Sequence, residues 1–167
     1  MSASLFADIC IDYGERPAIN YIEYNEGEKT FGELQKGDEV YLYTCLNDKI
    51  LNITINGKLT VGRNNIYIKT KSFKLNLSSK TQKVSNDIIF GPINSSVCFN
   101  GHTYFPDRVK DCSICASWNG GWAVGTNKES VLKYAKSDIS NSIQKIQNNI
   151  ENLQKEIKIL TNKLENL

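Results

Sequence analysis

Four residues stand at spacings that suit a metal ion: Cys98-x3-His102-x9-Cys112-x2-Cys115. Cys112-Ser113-Ile114-Cys115 is a CxxC knuckle, and Cys98 with His102 would complete a tetrahedral Cys3His set of the donors zinc prefers. The surrounding stretch is poor in apolar patterning, a setting in which a structural zinc contributes folding energy. Four protein ligands leave no open coordination position, so zinc here would be structural and no catalytic cofactor is expected. The plainer alternative is a pair of partly buried free thiols in a loop, with His102 at the surface. Thiol–disulfide exchange is disfavoured. A redox CxxC needs its first thiolate at a helix N-terminus, and the flanks here read as loop and hairpin.

A second constellation suits anions. Tyr67, Lys69 and Lys71 fall on one face of an expected strand, with Lys58, Arg63 and Lys74 nearby. Rings that stack on bases, beside lysines that neutralise phosphates, are the parts of a single-strand nucleic-acid binder. The competing reading is that these lysines keep edge strands solvated. Charge by region bears on both. Residues 1–48 carry −7 and residues 49–83 carry +8 with no acid, although the whole chain nets only +2.

The familiar catalytic templates are missing: there is no GxGxxG after a strand, no GxxxxGK[ST], no GxSxG and no HExxH. A single histidine leaves little room for imidazole catalysis. Glu26 and Glu28 sit in a turn, Asn25-Glu26-Gly27-Glu28, where solvation explains them. Trp118 and Trp122 flank a Gly-rich hairpin and suit core packing better than a ligand platform. The expectation is a protein that is not an enzyme.

These residues need elements to hold them. From residue 5 to about 124 the chain reads as short strands. Val40–Leu46 is apolar on both faces, and Leu51, Ile53 and Ile55 alternate with Asn52 and Thr54 in the period of a half-buried strand. Asn56-Gly57 then signals a hairpin, since both residues tolerate the positive φ of a type I′ turn. The apolar phase slips between Ile68 and Phe73, which predicts a bulge near Lys71-Ser72. Further strands are expected at 17–24, 87–91, 97–99 and around Trp118 and Trp122. The fold class is mainly β with a long C-terminal α-helix. The β-rich domain spans 1–125, with a small barrel or sandwich at about 31–91 and a Cys-containing loop region at 92–117.

The pattern changes at Thr126-Asn127-Lys128-Glu129, which fits a capping box. No Gly or Pro follows. Apolar residues then recur at spacings of four and three, placing Ile143, Ile150, Ile157 and Leu164 at heptad position a. Position d takes Leu132, Ile139, Ile146, Leu153, Leu160 and Leu167. A 38-residue helix would be roughly 57 Å long, more than a domain of this size can cover. The expected cover for 126–167 is another copy of the same helix in a coiled coil, as a dimer or a trimer. A helix folded back on its own β domain is the alternative.

One stretch carries a family likeness. Phe31-Gly32-Glu33-Leu34-Gln35-Lys36-Gly37-Asp38-Glu39-Val40-Tyr41 resembles the F-x-x-L-x-x-G-D-x-V-Y entry of small SH3-like barrels. There, two apolar residues tuck under the barrel and Gly-Asp turns into the first long strand. Proteins of this size in phage and mobile-element genomes look similar, with a barrel followed by a helix. The resemblance implies a fold and a phage setting and names no catalytic residue.

No apolar run reaches the roughly 18–20 residues of a membrane span. Asp8 and Asp12 interrupt the N-terminal apolar residues, with no Lys or Arg before them, so no signal peptide is expected. Five cysteines, an odd number, argue against a disulfide scaffold. The expected location is cytoplasmic or virion-associated. The expected function is a non-catalytic oligomeric binding or structural module, a phage structural or accessory protein, that binds itself and a further protein partner. A nucleic-acid-binding barrel stabilised by zinc is the alternative.

Overall fold

The computed structural model describes residues 21–45, 49–62, 65–77, 80–92, 97–99, 102–104, 106–117 and 121–167. The chain forms two compact units, one ending at Ala135 and the other comprising Lys136–Leu167. Among the described residues no helix is long and apolar enough to cross a membrane. The expected strands at 17–20 and around Trp118 lie outside the described residues.

The first unit is mainly antiparallel β. Its central sheet joins β1 (Tyr21–Glu23), β9 (Ile114–Ser117), β10 (Trp122–Gly125), β2 (Glu39–Thr44) and β3 (Leu51–Thr54), in that spatial order. A second sheet is built from β4 (Thr60–Val61), β5 (Asn65–Leu77) and β6 (Lys80–Pro92), and β7 (Val97–Phe99) pairs with β8 (His102–Tyr104). Two short 3-10 helices, η1 (Phe31–Glu33) and η2 (Pro106–Asp111), lie against each other. Within 92–117 the described residues form β7, β8, η2 and β9. The last of these, β9, lies inside the central sheet because Ile114, Cys115 and Ala116 are all apolar and all buried.

The central sheet is covered on both sides, and the period of two decides which residue goes where. Val40 and Leu42 of β2, Cys115 of β9, and Trp122 and Val124 of β10 enter the larger core with Phe31, Leu34, Ile53, Ile55, Ile66, Ile68 and Ile88. Their neighbours Tyr43, Ile114, Ala116 and Ala123 point the other way, into a smaller core closed by Val131 and Ala135. Ala123 stands across from Ala116 on one side and Tyr43 on the other. Two small side chains in adjacent strands make the shallow trough into which a helix can settle.

That helix is α1 (Lys128–Glu165), whose first two turns belong to the β-rich unit. Its cap differs from the expected box. Asn127, not Thr126, is the capping residue, its Oδ1 accepting from the Ser130 amide at 3.2 Å. Thr126 is committed elsewhere. Its amide donates to the Ser113 carbonyl at 2.9 Å and its hydroxyl donates to the Lys29 carbonyl. Gly125 allows this close approach, since a Cβ there would lie 2.8 Å from Val131 Cγ2.

The Phe31–Tyr41 segment runs from η1 through a tight turn into β2. Phe31 and Leu34 are buried, and Thr30 donates from both its amide and its hydroxyl to Glu33 Oε1, at 3.2 and 3.0 Å. The turn Gln35–Asp38 closes through the Asp38 amide on the Gln35 carbonyl at 2.9 Å, with Gly37 at φ +96° in the third position, as in a type II turn. The Asp38 carboxylate accepts from the Gln35 amide and from Lys29, which hold it below the usual carboxylate range. Space around Gly37 is open, so Gly37→Ala meets only backbone strain. The expected loss is about 1–2 kcal/mol in urea unfolding; an unchanged midpoint would contradict the turn assignment.

Asn56-Gly57 is not a hairpin. β3 pairs with β2 and β4 pairs with β5, so the dipeptide carries the chain from one sheet to the other. The Asn56 amide donates to the Lys69 carbonyl at 2.7 Å, and Ile55 bridges to Thr70. Gly57 therefore has no need of positive φ and adopts none. The expected bulge is present: the β5–β6 register shifts between Thr70 and Phe73.

Candidate functional site

Residues 136–167 present the longest continuous feature of the chain. Ile139, Ile143, Ile146, Ile150, Leu153, Ile157, Leu160, Leu164 and Leu167 are 49–92% exposed, as is Ile159 at 66%. Side chains of this kind each gain about 1.5–3 kcal/mol on burial. Local propensity does little to hold this helix, because Ser140, Asn141, Ser142, Asn148, Asn149, Asn152 and Asn162 are all weak helix formers. Within the helix, Gln144 Nε2 donates to Asn148 Oδ1 at 3.0 Å.

The β-rich unit uses a different face of the same helix. Val131 and Ala135, which close the smaller core, occupy heptad positions c and g. Tyr134 joins them, its ring centroid 6.2 Å from Tyr21 and 6.3 Å from Tyr43. Leu132, the first d residue, is half-buried in this unit. Thus the smaller core is closed chiefly from c, f and g, and the a/d line from Ile139 onward is exposed.

The loop before η1 is tied to the helix start by residues that sequence reading treated as solvated. Ser130 Oγ donates to Glu28 Oε2, and Asn25 Nδ2 donates to Glu28 Oε1 at 3.2 Å. Ser113 is fully buried yet satisfied: its Oγ accepts from the Asn25 amide at 3.0 Å and its amide donates to the Glu23 carbonyl at 2.9 Å. Glu28 also places a carboxylate at the positive end of the helix dipole. A cavity of about 400 Å³ opens here, lined by Glu28, Lys29, Leu34, Asp38, Tyr41 and Asn127 among others. Of its acids, Glu28 accepts from Ser130 and Asn25, Asp38 from Lys29 and the Gln35 amide, and Glu39 from the Tyr41 hydroxyl.

Of the four candidate metal ligands, Cys112 and Cys115 are described as side chains; those of Cys98 and His102 lie outside the described residues. Cys115 is wholly buried on β9, and Cys112 lies just before that strand. Cys112 donates through sulfur to the Arg108 carbonyl at 3.3 Å. Burial pushes both thiols up, with Asp111 adding to the effect on Cys112 and Cys112 to that on Cys115. Among the described residues no group of three or more His, Cys, Asp or Glu is placed to hold a metal.

These shifts set a pH dependence. Thiols freed by unfolding ionise near 9.0 and the phenols of Tyr21 and Tyr41 near 10.0, while burial, chiefly, raises all four in the folded chain. Above about pH 9 the folded state therefore holds more protons than the unfolded state, and stability present below that pH falls as pH rises. A lower urea midpoint at about pH 10 than at about pH 7 is expected. An equal midpoint contradicts it.

The basic residues are partly gathered. Ile66, Ile68 and Thr70 are buried, whereas Lys69 and Lys71 are exposed and Tyr67 is half-buried, so the outward positions of β5 do carry Tyr67, Lys69 and Lys71. Lys58 is exposed before β4. The register sets Asp87 across from Lys69 and Lys83 across from Lys74. Arg63 lies outside the described residues, as does the side chain of Lys74.

Comparison with known proteins finds no family model, no curated relative and no solved structure that matches this chain.

Proposed function

We propose that the protein is a non-catalytic binding and structural module: a β unit of SH3-like type carried on a coiled coil that associates with copies of itself. One observation carries this reading. From Ile139 to Leu167 an unbroken a/d seam is exposed, while Val131, Tyr134 and Ala135, at positions c, f and g, pack on the chain's own sheet. A strict 3.5-residue repeat suits a partner helix of the same repeat better than a flat sheet. Positions e and g hold Ser140, Ser142, Gln147, Asn149, Gln154 and Thr161, with charge only at Glu156 and Lys163. Such flanks do not discriminate among partners and place no like charges together when the helix meets itself. Linking several β units raises their effective concentration at a shared surface, so each can bind weakly.

The SH3-like description rests on the Phe31–Tyr41 segment, with Phe31 and Leu34 under the sheet and Gly37-Asp38 turning into β2. The phage structural or accessory setting comes from that likeness alone. Nucleic acid is the second reading, favoured by the outward Tyr67, Lys69 and Lys71 and opposed by Asp87 across from Lys69. Salt-dependent retardation of a single-stranded oligonucleotide, weakened by Lys69→Ala with Lys71→Ala, would support it; none at low salt would dismiss it.

The test of the first reading is light scattering of the full chain beside a chain ending at Lys136. That shorter chain keeps Val131 and Ala135, so the smaller core stays closed. The full chain is expected at a multiple of 18.8 kDa and the shorter one as a single folded chain. A single-chain mass for both at micromolar concentration would sink the proposal.

A further inference from the structure

We infer that the assembly is a parallel trimer, an inference that rests on the self-association proposed above and names its stoichiometry. The decisive feature is the order of layers along the exposed seam. Ile139 at d, Ile143 at a, Ile146 at d and Ile150 at a make four successive β-branched layers. Isoleucine at both positions favours three or four strands, whereas isoleucine at a with leucine at d favours two. The next layers, Leu153 with Ile150 and Leu160 with Ile157, draw the number down. No heptad from 139 to 167 combines leucine at a with isoleucine at d, another pattern that favours three or four strands. Three strands reconcile both halves.

The flanks agree. Positions a from Ile143 to Leu164 contain no Asn or Lys, so the seam lacks the buried polar residue that sets the strand number at a cost in stability. A third helix draws the e and g side chains further from water, and six of the eight between 140 and 163 are small or uncharged: Ser140, Ser142, Gln147, Asn149, Gln154 and Thr161. Ile159 at position c, 66% exposed, widens the apolar surface beyond a two-stranded seam. Three identical chains close only by a three-fold axis, and that symmetry makes their helices parallel and in register. Each isoleucine layer then meets its own copies.

Sedimentation equilibrium of the full chain, alone and with Ile139→Leu plus Ile146→Leu, tests the inference. The double variant places leucine at every d position from 139 to 167 without removing a methylene from the seam. The expected result is three times 18.8 kDa for the unaltered chain and twice that mass for the variant. Two or four chains in the unaltered protein would overturn the trimer and leave self-association standing. One chain would overturn both. A variant that stays at three chains would overturn the isoleucine layers as the cause.

Discussion

Ile150→Asn is expected to return the full chain to a single-chain mass at micromolar concentration and to remove most of the helical signal of residues 136–167. Ile150 is an interior a position, with a complete layer on each side. In the assembly the substitution loses the transfer free energy of a buried aliphatic side chain and buries an amide in its place. The truncation alone costs about 2–5 kcal/mol per chain, and the cost recurs in every copy. The helix has little to fall back on, because its Asn and Ser residues are poor helix formers and helices in proteins draw most of their stability from packing. Gln144→Ala is the control: Gln144 is at position b, outside the seam, and its replacement should leave mass and helicity unchanged. Light scattering and circular dichroism read both. A full-mass, fully helical Ile150→Asn protein would mean that the seam is not where the copies meet.

Trp122→Ala is expected to cost about 3–5 kcal/mol of unfolding free energy, a large part of a small domain's stability. Among the described residues Trp122 is the largest wholly buried side chain, and its strand is flanked by β2 and β9 at once. Removing it opens a void in the larger core that it shares with Val40, Leu42 and Val124. Trp122→Phe should cost less, since the ring remains. Urea unfolding followed by circular dichroism in the sheet region measures both. An Ala variant within about 0.5 kcal/mol of the unaltered chain would place Trp122 outside the core.

The fold was most legible where a single period governs a segment. Leu51–Ile55 is a half-buried strand because alternate residues are apolar, and β2 reads as apolar on both faces because it is buried on both. The bulge near Lys71 followed from the slip of phase. The long helix followed from a repeat sustained through five heptads. What misled was local chemistry whose partners are distant. Asn56-Gly57 favours a hairpin turn, but Asn56 is drawn to Lys69 on the second sheet. Thr126 is a good capping residue in isolation, yet a carbonyl at Lys29, far away in sequence, takes its hydroxyl and leaves Asn127 to cap. Glu28 and Ser113 gave no signal as a pair of anchors, because neither composition nor spacing shows that Ser130 and Asn25 converge on them. Cys115 lies on β9, and the apolar Ile114 and Ala116 beside it were the signal of that strand.

Amide hydrogen exchange of residues 139–164, followed as a function of protein concentration, tests the burial of the seam most directly. Copies that meet along a and d should slow exchange in these residues together, and the protection should grow as the protein is concentrated from nanomolar to micromolar and fall on dilution. Fast exchange at every concentration, or protection that dilution leaves untouched, would contradict assembly through this helix.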